Sequence, residues 1–209
     1  MKIFPLKTLI IACLFPLYTF SQMERDSLLL TDINELVHEL KFMYDYDQVI
    51  RKYKTYQTFD ESEIDSIESL NDSLKRKEVS RRKISPKVRK KIWKEYTIPF
   101  DIKSTERLIE ITKKYGFPSI KRLKKYYKKE FIGVFNPYIL FVHSPTKYFD
   151  EIKEIMKTEF EKGIINKCEY GHLLWHLNGR NDFKYFLENG FEFIENKKGI
   201  RMLKAVDCD

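Results

Sequence analysis

The segment FNPYILFVHSP (135–145) places one histidine, His143, at the end of an apolar run closed by Ser144-Pro145. Such an imidazole is either a general base or a satisfied ring at the C-terminus of a buried helix, where the dipole favours its protonated form and burial opposes it. A second polar group lies upstream. Ile33, Leu36, Val37, Leu40, Met43 and Tyr44 recur at helical spacing, and the same period continued reaches Asp47 and Arg51. A carboxylate and a guanidinium thus occupy the positions where the next buried residues belong. Buried charge needs a partner, and two residues four apart on a helix partly satisfy each other. With Gln48, the pair can bind a polar ligand, and Asp47 can orient His143 as an acid–base unit. The same residues can equally form a structural network joining this helix to Asp101. No nucleophile stands out, since Ser144 precedes a proline and has no G-x-S-x-G context.

His172 and His176 are four apart, the separation used by metal ligands on a helix. HLLWH lacks the glutamate of a zinc protease, however, and both rings fall opposite the Tyr170, Leu174, Leu177 stripe. That predicts an exposed pair with no third ligand, and no metal or cofactor is expected. Gly-rich phosphate loops, Cys-x-x-Cys pairs and calcium loops are absent from the sequence.

The charge is uneven. The chain carries +8 overall, and the run Lys75 to Lys94 holds eleven bases against one acid, Glu78. Within it Arg81, Arg82, Arg89, Lys90 and Lys91 form a candidate surface for a polyanion, such as an anionic envelope polymer or lipid headgroups. A second cluster spans Lys121 to Glu130, where Tyr126 and Tyr127 between lysines can stack on bases or sugars. Trp93 can do the same, although with Ile92 it is expected to pack inward. An ordinary solvated, lysine-rich face is the alternative for the whole basic run.

These groups must be positioned by a chain that opens MKIFPLKTLIIACLFPLYTFSQ. Lys2 and Lys7 precede an apolar stretch from Thr8 to Phe20, with small residues Thr19 and Ser21 ahead of Gln22. This is the pattern of a cleaved signal peptide over 1–21, and it predicts a secreted or periplasmic protein with no membrane span after its removal. The alternative is a lipoprotein acylated at Cys13. Residues 22–209 suffice for one domain with a sizeable core. Cys168 and Cys208 remain in a compartment that permits oxidation, so they can pair, but spacing alone does not bring them together.

The elements are mainly helical. Thr31 is placed as the cap of a helix to about Tyr56, followed by a polar, helical segment from Asp60 to Asp72. Ser85-Pro86 starts a short helix to about Tyr96, which Pro99 stops, and Asp101 caps the next. That next helix carries Leu108, Ile111, Thr112 and Tyr115 inward and ends at Gly116 and Pro118. Asn136-Pro137 starts the helix that Pro145 ends, and Thr146 caps another to Lys162. Asn166 with Glu169 forms a capping box for the following helix. FEFIENKKGIRML then changes period and predicts a hairpin. The expected class is mainly α, a single helical domain with a small C-terminal β-hairpin.

At YGFPSIKRL, FNPYILFVHSP and the amphipathic helix after them, the chain resembles the domain of unknown function 6624 family. That family is similar in running from a Tyr-Gly-Trp-Pro helix end to an apolar helix ending in Gln-His-Ala-Asp or Gln-His-Ser-Pro, then to a helix ending near Lys-Gly. Its upstream Asp-Gln-x-x-Arg matches Asp47, Gln48 and Arg51, and its aspartate ahead of the Gly-Trp-Pro helix matches Asp101. The likeness covers about 36–204 and includes the basic segment 75–94. It implies relatives rather than a reaction. Val142 stands where the family has Gln, Phe117 where it has Trp, Trp175 and His176 where it has Asp-Arg, and Phe183 to Phe186 where it has Gln-x-Tyr-Gly. Two functions remain open: a binding or structural module at the envelope, which these departures favour, or a hydrolase-type enzyme using His143 and Asp47. Convergence of His143, Asp47, Gln48 and Arg51 on an open pocket favours the enzyme, and a sealed network favours the module.

Overall fold

The computed structural model describes residues 6–82, 84–129, 135–196 and 199–208, with side chains from Gln22 onward. The class is mainly α with one two-stranded antiparallel sheet at the C-terminus. Helix α1 runs Leu6–Tyr56 without interruption. Thr31 therefore lies inside it rather than capping it, its hydroxyl turned back to the Ser27 carbonyl. Tertiary contacts carry the helix past that point. Leu29 is fully buried, Arg25 is ion-paired to Glu159, and Asp26 to Arg122. No helix among the described residues is long and apolar enough to cross a membrane.

The expected stripe of α1 is the backbone of the core. Leu29, Ile33, Leu36, Val37, Leu40 and Met43 are buried against α5 (Ile98–Tyr115), α6 (Ile120–Tyr126) and α7 (Tyr138–Val142). From α5 come Leu108, Ile111 and Tyr115, and from α7 Leu140 and Phe141. Helices α8 (Phe149–Glu161) and α9 (Lys167–Leu177) close the other side with Ile152, Met156, Leu173 and Leu177. At one end of this core the Tyr-Gly-Phe-Pro turn is clamped: Glu159 accepts the Phe117 N–H at 2.7 Å and Arg25 at 2.7 Å. Gly116 has φ +81°, and a Cβ there would meet Arg122, Arg25 and Glu159, so glycine is required.

The polar segment after α1 forms two short helices, α2 (Glu61–Glu68) capped by Asp60 and α3 (Asp72–Arg81) capped by Asn71. Ile64 and Ile67 bury with Tyr56 in a small separate cluster. Ser85 caps α4 (Pro86–Ile92) as its Ser-Pro pair implies. Pro99 does not stop the chain, however, and Asp101 caps nothing. A π-helical turn over Trp93–Thr97 joins α4 directly to α5, with Ile98 N–H reaching the Trp93 carbonyl. The wider turn accommodates a proline ring and its missing donor, and the helix passes through.

Thr146 starts a 3-10 turn over Thr146–Tyr148 rather than capping α8 by its side chain. The capping box of Asn166 and Glu169 is present on α9. After α10 (Lys184–Leu187), strands β1 (Phe191–Glu195) and β2 (Arg201–Ala205) pair in register Phe193 to Leu203, although Lys197 and Lys198 of the turn lie outside the described residues. Cys168 and Cys208 form a disulfide, Cα–Cα 4.9 Å, fastening the tail to the start of α9.

Candidate active site

Four residues past Met43, the buried stripe of α1 delivers Asp47, and four further on Arg51. The first turn of α5 and the C-cap of α7 pack at the same level, bringing Asp101 and His143 to them. The Asp47 side chain is 1% exposed and accepts from three residues. Arg51 Nε donates to Oδ1 at 2.7 Å, Gln48 Nε2 to Oδ2 at 2.8 Å, and His143 Nδ1 lies 3.0 Å from each oxygen. Arg51 Nη2 then bridges to Asp101 Oδ1 at 2.7 Å. All five residues read from the sequence as one group converge.

The group is not sealed. His143 and Arg51 are each 20% exposed in their side chains, and with Asp101 they line a cleft of about 680 Å³. Because a carboxylate can only accept, Nδ1 of His143 carries the hydrogen, and in the neutral ring the lone pair sits on Nε2. Nε2 is the nitrogen left to the cleft. Ser144 is beside it but buried, its hydroxyl donating to the Phe141 carbonyl at 2.7 Å, and so is poorly placed as a nucleophile.

The two carboxylates are tuned in opposite directions. Burial alone would raise the pKa of Asp47, but the hydrogen bond from His143, then the charges of His143 and Arg51, bring it below the ordinary value. Burial dominates at Asp101 and, helped by the Asp47 charge, raises it against the pull of Arg51. Asp47 is therefore a firm anion, while Asp101 is the easier of the two to protonate.

The same cleft is lined by two residues whose part the sequence does not reveal, His176 and Arg180. His172 and His176 are half-buried rather than exposed, because Tyr138, Trp175 and Phe186 pack around His172. Burial, reinforced by the charge of Arg180, depresses the His176 pKa to about 4, so its ring is neutral at physiological pH. Among the described residues its Nδ1 is buried without a hydrogen-bond partner, as are Trp175 Nε1 and Tyr138 Oη. Among the described residues no cluster of His, Cys, Asp and Glu could hold a metal ion. Arg180 follows Gly179 with φ +63°, a left-handed conformation uncommon for arginine and found preferentially at functional sites. A glycine and an arginine just past the end of α9 were the only sequence signal for it.

The basic run divides. Arg81 pairs with Glu78, Arg82 with Glu78 and Glu63, and Lys91 approaches Glu95 at 3.9 Å. Arg89 and Lys90 instead line a second concavity with Lys54 and Trp93. Trp93 does not pack inward: it is 38% exposed, because its place in the π turn carries it to the surface. Tyr127 is buried in the core and cannot stack on a ligand. Scans against protein-family models, curated proteins and solved structures found no match to this chain.

Proposed function

We propose that this protein is a hydrolase of an anionic ester at the cell envelope, with His143 as general base and Asp47 as the residue that orients it. The observation that carries this is the Asp47–His143 pair, Nδ1 held 3.0 Å from both carboxylate oxygens, on a histidine that lines an open cleft. Water is the nucleophile. Nε2 takes a proton from it while its oxygen bonds to the ester centre, and the ester oxygen leaves with the bonding electron pair. That oxygen then takes the proton from the imidazolium, so the net change is addition of water across the bond. Arg180, which also lines the cleft, supplies positive charge for an anionic substrate and for the charge that develops on it, while Arg51 is braced between Asp47 and Asp101.

Export is part of the proposal, supported by the leader pattern and by the Cys168–Cys208 disulfide. So is membership of the family resembled, supported by the meeting of Asp47, Gln48, Arg51, Asp101 and His143 at one cleft. The test is hydrolysis of p-nitrophenyl acetate, p-nitrophenyl phosphate and bis(p-nitrophenyl) phosphate by wild type, His143→Gln and Asp47→Asn. Removal of the base should lower turnover of an accepted ester about 10²–10⁴-fold. No turnover above the blank for any ester, or turnover unchanged in His143→Gln, would leave the envelope-binding module as the better reading.

A further inference from the structure

Beside the His143 cleft lies a concavity of about 550 Å³ whose lining includes Lys54, Arg89, Lys90 and Trp93 and, among the described residues, no carboxylate. Their neighbours in the basic run, Arg81, Arg82 and Lys91, each have a glutamate within reach. Among the described residues Lys54, Arg89 and Lys90 have none. Lys54 is held in place by Trp93, its Nζ 4.2 Å from the ring centroid. That face of the indole is thus occupied by a cation, so Trp93 positions Lys54 there rather than offering the face to a base or sugar. Burial, and then the charges of Arg51 and Arg89, lower the Lys54 pKa against the weaker, opposing pull of Asp101.

We infer that this concavity binds a phosphoryl group of the substrate, one unit removed from the bond broken at His143. A guanidinium and two ammonium groups match an oxyanion of more than one charge, whereas a single carboxylate would leave most of their charge uncompensated. Trp93 also lines the His143 cleft, which makes the two concavities neighbours. The inference rests on the proposed hydrolase and narrows its substrate to a chain with at least two anionic groups, one at the scissile ester and one here.

The experiment is calorimetric titration of the mature protein with inorganic pyrophosphate at low and near-physiological salt, with vesicles containing phosphatidylglycerol as a second arm. Wild type should bind pyrophosphate, and Arg89→Gln/Lys90→Gln should weaken it at least about tenfold. Arg81→Gln, outside the concavity, should bind as wild type does. Loss of vesicle binding as well would mean that lipid headgroups supply the phosphoryl group, and its retention would mean a soluble chain. Absence of pyrophosphate binding, or equal binding by the double variant, overturns the inference. His143→Gln keeps the two proposals apart. It should bind pyrophosphate normally, so failure of the hydrolase reading leaves that signal intact, and failure of the phosphoryl pocket leaves the esterase assay intact.

Discussion

Replacing Arg51 with Ala would take a partner from two carboxylates at once and strand one of them. Asp47 would keep Gln48 and His143 as donors, but Asp101 would lose its ion pair while its side chain is only 7% exposed. Removing one partner of a buried pair costs roughly 3–5 kcal/mol. Two features put this case at the low end, near 3 kcal/mol by the same scale. Arg51 is one-fifth exposed, and Asp101 borders a cleft that water enters. With a urea slope of about 2 kcal/mol per molar for a chain of this size, the midpoint should fall by about 1.5 M. Adding Asp101→Asn to Arg51→Ala should recover about 1 kcal/mol, since it removes the stranded charge.

The pH dependence has a sign that can be checked. Asp101 has a raised folded-state pKa, so the folded protein binds its proton more tightly than the unfolded chain does, and its ionisation opposes folding as pH rises. Without Arg51 that opposition grows, and the deficit of Arg51→Ala should shrink as the solution is acidified from neutrality towards the carboxylate range. Asp47 works the other way. Its lowered pKa contributes stability above its ordinary value, lost only as pH falls through the folded one. A midpoint shift equivalent to less than about 1 kcal/mol, the range of exposed pairs, would refute the buried network. So would failure of Asp101→Asn to rescue.

Three further outcomes are expected. The Cys168–Cys208 bridge closes a 40-residue separation, worth about 4 kcal/mol in the chain-entropy treatment, so Cys168→Ser/Cys208→Ser should lower stability by about 2–4 kcal/mol in denaturant titrations; a change below about 1 kcal/mol would show that the tail is held by other contacts. His176 resists protonation down to about pH 4 in the folded state, against about 6.5 unfolded, so stability should fall as pH drops through that window. Discounted for partial exposure, the loss is on the order of 1–2 kcal/mol, and it should be missing in His176→Gln. Intact mass of the exported protein should begin at Gln22 or Met23, and a diacylated species starting at Cys13 would overturn the leader assignment.

Much of the site was legible because it is built on a broken rule. Asp47 and Arg51 continue an apolar stripe, and a charge in that phase must find a partner wherever the helix packs. The partner helices were visible too, through Gly116-Phe117-Pro118 and the Asn136-Pro137 start. What could not be seen was set by tertiary contact. Arg25 and Asp26 carry α1 past Thr31 by pairing with residues roughly a hundred positions away. His172 and His176 looked exposed because the stripe of α9 was traced from Tyr170, Leu174 and Leu177, while the aromatic rings of Tyr138 and Phe186 arrive from other elements. The basic run looked uniform, yet Glu63, Glu78 and Glu95 neutralise part of it, while Arg89 and Lys90 have no carboxylate partner among the described residues.

The π turn ties the two concavities together. Trp93 and Asp101 are eight residues apart. In an unbroken α-helix eight steps of about 100° leave them about 80° out of phase. A turn closed from Ile98 N–H to the Trp93 carbonyl takes in one more residue than an α turn. The eight residues then advance like about seven helical steps, within about 20° of two full turns. Trp93 and Asp101 therefore share a face and both line the His143 cleft. Trp93 in turn carries Lys54 on its ring, and Lys54 follows Arg51 by three residues on α1. One irregular turn, at a proline that on sequence grounds should have ended the helix, thus aligns the cationic concavity with the acid–base pair. A regular helix through Trp93–Thr97 would point Arg89, Lys90 and Trp93 away from it.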